Sequence, residues 1–526
     1  AYVLETNMAK TPEKVNAFLD QVWQPGLSKA EQELAEMQQI VDDEGHDFLI
    51  EQHDWWYYAE KLRQTKYALN EDEVKPYFEL GNVRDGAFYV ANRLFGVTFE
   101  PLEDVPVWND VVQPYLVKDA DGSLLGVFML DYYARDSKRG GAWMSTYRDA
   151  TAVGGETVRP IVTNNLNLAI PAEGEPTLLS YDQVETLFHE FGHGLHGLLT
   201  QQRYSRFSGT SGTPRDFVEF PSQFMEHYAS QPEVLAVYAR HAETGEVIPQ
   251  ALVDKILTAS THNQGFMTTE YIAASKLDMS WHTLAPNEAA SVEDPTKYEE
   301  ETLAAYGKPG QVESRYRSPY FSHVFAGGYS AGYYAYLWSE ILDADGFTAF
   351  KESGDIFDPE LAARLKEHVY QAGGSKDADQ LYRAFRGQDP SIEPLLSYDQ
   401  VETLFHEFGH GLHGLLTQVR YSRFSGTSGT PRDFIEFPSQ FMEHYASQPE
   451  VLAVYAKHAG TGEIIPQQLV DKIIAASTHN QGFKTTEYIA ASLLDMSWHN
   501  MTPNEAAAVE DATRFEDETM LSYGKP

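Results

Sequence analysis

"TLFHEFGHGLHGLL" runs from Thr186 to Leu199, and the same fourteen residues recur from Thr403 to Leu416. In a helix, residues four apart share a face, so His189 and His193 point one way with Glu190 beside them. Neutral imidazole suits zinc; the metal lowers the pKa of a coordinated water to about 7, and an adjacent carboxylate can take its proton. The pattern is fairly specific for a metal-dependent hydrolase, set against the plain alternative of a helix carrying surface or core histidines. The second copy, with His406, Glu407 and His410, adds no independent support because it was inherited with the first.

A third ligand is needed. The metzincin pattern requires Gly and His further along the same helix, and those positions hold His196 and Leu199. A carboxylate from the next helix is the alternative. Between Gly194 and Ser230 the acids are Asp216, Glu219 and Glu226. Glu219 and Glu226 are seven apart, with Ser222 and Gln223 between them on the same face, in "RDFVEFPSQFMEHY". Glu219 is expected on the metal, Glu226 behind a ligand histidine, and Asp216 as a cap or loop residue. The preceding "FSGTSGTPRD" reads as a Gly-rich connector, with a flap over substrate as the less favoured reading.

The chain has 526 residues, 42% hydrophobic and 13% aromatic, which excludes a disordered polymer and exceeds one ordinary domain. Its 78 acidic against 39 basic residues give −39, which opposes nucleic acid and anionic membrane as partners. The absence of Cys excludes disulfides, thiolate metal sites and a cysteine nucleophile. No apolar run is long enough to span a bilayer; "LLGVFML" at Leu124 to Leu130 reads as a strand. The start at Ala1, without Met or a signal pattern, leads us to expect a missing N-terminus.

Shifting the chain by 217 positions aligns 178–309 with 395–526 without a gap, with 21 differences over 132 pairs. Two long copies separated by unrelated sequence are a duplication, not a solenoid. The expected organisation is 1–177, a helical region and small sheet; 178–396, the catalytic core; and 397–526, a partial duplicate of that core. Thr11 to Asp42 and "DWWYYAEKLRQTKYAL" carry helical patterning, and Trp55, Trp56, Tyr57 and Tyr58 are expected in the core. "SLLGVFMLDYYARD" and "RPIVTNNLNLAIP" read as strands, and "SYDQ" at Ser180 as a helix start.

With "HEFGHGLHGL", "TPRDFVEFPSQ", "RYRSPYFSHVFAGGYSAGYYAYLW", "YARDSKRGGAW" and "KPYFELGNV" on the page, the chain resembles the thimet-type zinc oligopeptidases, its bacterial peptidyl-dipeptidases in particular. The likeness runs from near Ala1 to about Leu396. It implies a mainly α zincin-like fold with a small sheet, two lobes enclosing a channel, and cleavage of short peptides. It implies zinc on His189, His193 and Glu219, Glu190 as general base, and His323, Tyr329 and Tyr336 on the scissile carbonyl. Tyr329, Tyr333 and Tyr336 fall at i, i+4 and i+7, so in a helix three phenols would share one face. Family members usually carry a long helical region ahead of the matched part, most of which this sequence lacks.

The first copy is followed by its His and Tyr donors, and the second reaches Pro526 before any appear. Catalysis is therefore expected in the first copy, with a second zinc conceivable at His406, His410 and Glu436 beside Glu407. The duplicate is expected to pack on the main body, to mediate self-association or to stay partly unfolded. Release of C-terminal dipeptides requires a carboxylate anchor, for which Arg317 and Arg315 in "RYRS" are candidates against a structural ion pair. Without an anchor the enzyme would cleave internally; the rival class is a non-catalytic zinc- or peptide-binding duplicate. The resemblance implies the bacterial cytoplasm, while the acidic, Cys-free composition leaves the periplasm open.

Overall fold

The computed structural model describes residues 2–391 apart from 68–70, 173 and 260–261, and beyond them 437–446, 448–457, 464–466 and scattered positions to 519. It divides into two compact units, Ala1–Leu396 and Ser397–Pro526. The described part is mostly helical with one small mixed sheet.

In the first unit the longer helices are α1 (Pro12–Asp43), α2 (Trp55–Tyr67) and α3 (Leu80–Phe95). The sheet follows: β1 (Thr98–Pro101), β2 (Gln113–Lys118), β3 (Leu124–Tyr133), β4 (Trp143–Arg148) and β5 (Ile161–Leu168). Next come α4 (Tyr181–Leu199), α5 (Phe220–Ala229), α6 (Gln264–Thr283), α7 (Ala335–Ser353) and α8 (Ala378–Arg386). Thr11 caps α1, and Ser180 with Gln183 forms a capping box on α4. Strand order is β1-β2-β3-β5-β4, antiparallel except for the β3–β5 pair.

The largest core joins α3, the sheet, α4, α5 and α8; a second joins α1 to α6 and Tyr334. The α2 aromatics divide between core and surface. Trp55 and Tyr58 are buried, whereas Trp56 and Tyr57 are 55% and 60% exposed, because a helix with one partner face cannot bury four consecutive rings. "FSGTSGTPRD" contains two short helical turns, Gly209–Gly212 and Arg215–Val218.

In the second unit, α9 (Phe437–Ala446) repeats the sequence of α5. Phe441 and Tyr445 are 49% and 41% exposed there, while their counterparts Phe224 and Tyr228 are fully buried. His406, Glu407, His410 and Glu436 lie outside the described residues.

Candidate metal centre

The apolar stripe of α4 is buried from Val184 to Leu199, which fixes the direction of its polar face. Two glycines bring it close to its neighbours. A Cβ at Gly192 would stand 2.6 Å from Pro221 O and Ser222 Cα of α5, and one at Gly194 would stand 2.9 Å from the Phe128 ring of β3. These contacts place the histidines of α4 against Glu219, the residue that opens α5.

The His193 Nε2 lies 3.0 Å from Glu219 Oε2, and His189 Nε2 lies 3.3 Å from the same oxygen. Donor atoms of His189, His193 and Glu219 all fall within 4.8 Å of one another. Two imidazoles and one carboxylate converging at that scale fit a zinc ion with a position left for water or substrate. On the far side of His189, Glu226 Oε1 lies 2.5 Å from Nδ1, which favours the tautomer whose Nε2 faces Glu219. The Ser222 hydroxyl donates to the Glu219 carbonyl at 2.7 Å, steadying Glu219 from the helix it opens.

Electrostatics follow from this packing. Burial opposes the charge on Glu219, yet His193 and His189 hold it well below the usual carboxylate range. Burial also works against protonated His189, but Glu219 and Glu226 raise it well above the usual imidazole value. Glu190 is shifted upward, burial outweighing the two histidines, and its buried Oε2 has no hydrogen-bond partner among the described residues. His196, one turn on, is fully buried and pushed down to about 3, first by burial and then by His193; it is a neutral core residue.

The Tyr329 hydroxyl donates to Glu219 Oε1 at 2.6 Å, and the Tyr336 ring stacks on Tyr329 at 5.5 Å between centroids. His323 joins the same aromatic group, 6.2 Å from Tyr329, and is shifted downward by burial and then by Arg315. Tyr329, Tyr333 and Tyr336 do not lie on one helix. The helix α7 starts only at Ala335, after Gly327 and Gly328 and a positive φ of 52° at Ala331. Asp278 of α6 accepts the amide N–H groups of Ala331 and Tyr333, both at 2.9 Å, and so fixes the irregular turn. The three phenols still meet, by turn rather than by helix.

Arg315 and Arg317 part company. Arg317 pairs with Glu299 at 2.7 Å and Glu300 at 2.9 Å, because Glu299 is buried and needs a cation. Arg315 shares a cavity with His323 and Tyr336, and pairs there with Glu270 and the Tyr333 hydroxyl, each at 3.1 Å. Asp216 is no loop residue: it is fully buried, accepting from the Ala9 amide and the Tyr334 hydroxyl. Sequence reasoning also passed over Arg215, whose guanidinium lies 4.6 Å over the Tyr329 ring; its place four residues before Glu219 was the available signal.

The chain is similar to known peptidases over most of its length. A dipeptidyl carboxypeptidase of Salmonella typhimurium is 44% identical over 400 residues, covering 76% of this chain and 58% of the relative. Its Escherichia coli counterpart is 43% identical with the same coverage. Oligopeptidase A of Escherichia coli is 36% identical over 398 residues, 75% of this chain and 58% of the relative. This chain thus spans less than two thirds of the length of the relatives it matches. The model of peptidase family M3 matches residues 1–397 and again 393–525, and the chain belongs to that family.

Proposed function

We propose that this chain is a zinc metallopeptidase that hydrolyses short peptides and releases C-terminal dipeptides, working at the first copy. The observation that carries the reading is the convergence of His189, His193 and Glu219, with Glu226 behind and Tyr329 in front. Zinc held by those three residues would polarise the scissile carbonyl and acidify a water. Glu190, buried and raised, takes the proton of the attacking water and hands it to the leaving amine. Tyr329, Tyr336 and His323 donate hydrogen bonds to the carbonyl oxygen as it gains charge. Glu226 keeps His189 in one tautomer throughout.

A zincin-like, two-lobed arrangement around a channel, with 1–177 leading into a catalytic part at 178–396, is part of the same reading. A second zinc at His406, His410 and Glu436 belongs to it too. So does self-association through the duplicate, supported by the exposed Phe441 and Tyr445. Among the described residues no helix is long and apolar enough to cross a membrane. The acidic balance weighs against nucleic acid as a partner, and a cytoplasmic setting rests on the bacterial relatives.

Internal cleavage is the second reading, favoured by the engagement of both Arg315 and Arg317 in ion pairs. The experiment compares dipeptide release by the parent, Glu190→Gln and Glu407→Gln from free and C-terminally amidated peptides. Loss in Glu190→Gln alone, with the amide refused, supports the proposal. Loss in Glu407→Gln alone transfers catalysis to the duplicate, and equal cleavage of the amide favours internal cutting.

A further inference from the structure

A cavity of about 340 Å³ opens beside Tyr336, walled by Gln264, Met267 and Thr268 of α6 and by Arg315, Leu337 and Glu340 opposite. Its two charged groups are in different positions. Arg315 is neutralised by Glu270, as described above. Glu340 meets no cation and no hydrogen-bond donor among the described residues; the charged groups acting on it are the acids Asp343 and Glu226. Each of those has its own partner, Asp343 with His227 at 3.4 Å and Glu226 with His189. Glu340 also stands four residues after Tyr336, one turn along α7, and both line this cavity.

We infer that Glu340 is a specificity-determining residue that seats a cationic group of the peptide, an Arg or Lys side chain or a free α-ammonium, in this cavity. The inference rests on the peptidase reading for its substrate. The walls suit such a guest: Met267 and Leu337 offer an apolar path for an aliphatic stem, and Gln264 and Thr268 offer further side-chain oxygens. Burial, then Asp343 and Glu226, push Glu340 up to about 8, so at neutral pH it holds its proton until a cation draws it off. Neutral residues of the same length find no such partner there.

The test uses the zinc-loaded full chain carrying Glu190→Gln, so that binding is read without turnover. Alanine pentapeptides with Lys or norleucine at each position in turn, and with free or acetylated N-termini, are titrated calorimetrically. A charge-assisted hydrogen bond predicts that Lys binds roughly ten- to a hundredfold tighter than norleucine at one position, or the free terminus tighter than the acetylated one to the same degree. Adding Glu340→Gln should erase the ratio, and Glu340→Asp, which keeps the charge, should restore part of it. Ratios within twofold in the Glu340 chain, an undiminished ratio in Glu340→Gln, or no binding of any peptide would each overturn the inference. The ratio is read in the Glu340 chain itself, so a misfolded variant does not shield the idea. Zinc-dependent hydrolysis by the parent, assayed separately, decides the peptidase reading whatever the ratio.

Discussion

Glu226 offers a perturbation whose size can be worked from the geometry. Its carboxylate is 2.5 Å from His189 Nδ1, and that contact leaves Nε2 facing Glu219. Outer partners of ligand histidines are worth roughly ten- to a hundredfold in metal affinity, or about 1.4–2.7 kcal/mol. The Glu226 side chain is 35% exposed, so solvent screening places the charge contribution in the lower part of that range. Glu226→Gln keeps an acceptor and loses the charge; zinc should bind about tenfold more weakly. Glu226→Ala loses both, and the expected loss approaches about a hundredfold. Competition against a chelator of known affinity measures this directly. Thermal melts give a second reading: at free zinc a hundred times the parental Kd, zinc stabilises the parent by about 2.7 kcal/mol and the Ala variant by about 0.4. The duplicate carries its own Glu443 at the matching position, so in a titration with two steps only one should shift. Affinities within twofold of the parent for both variants would refute the reasoning, since His189 would then be held without its carboxylate.

Three further outcomes are expected. Glu190→Gln should lose about 10²–10⁴ in kcat while zinc affinity stays within a few fold, because in the proposed mechanism Glu190 takes a proton and does not hold the metal. Gly192→Ala should destabilise the chain by about 1–3 kcal/mol in urea melts and weaken zinc binding, since its methyl meets α5 backbone at 2.6 Å and not a yielding side chain. Burial, then Glu226 and Asp182, raise Glu185 to about 8 from an ordinary value near 4.5. The folded state then binds that proton more tightly than the unfolded one, so its contribution is full below about pH 4.5 and is lost as pH rises through about 8. Urea melts across that window should show a flatter decline in Glu185→Gln, and an unchanged slope would remove Glu185 from the account.

What the sequence discloses about this site depends on where each residue's partners lie along the chain. The four-residue spacing of His189 and His193, the capping box at Ser180 and the seven-residue spacing of Glu219 and Glu226 are set by helix geometry, and local pattern suffices to read them. Tyr329 to Tyr336 could not be read that way. Their backbone path is set by Asp278, about fifty residues earlier, and by Gly327 and Gly328, so a helical periodicity was the wrong ruler for the right residues. Arg317 and Asp216 were opaque for the same reason: Glu299 and Tyr334 decide what they do, and no spacing rule names a partner in another element. The duplication makes this distinction concrete. Both copies carry the same local words, from the His-Glu-x-x-His segment to "FPSQFMEHYA". In the first copy, Phe224 is buried against Phe347, Phe350 and Phe385, and Glu219 accepts from Tyr329, all from 310–391, a stretch the sequence holds once. Phe441, with an identical local sequence, is half exposed. Local identity therefore gives the same helix at Phe220–Ala229 and Phe437–Ala446, while burial of its aromatic face depends on partners that lie elsewhere in the chain.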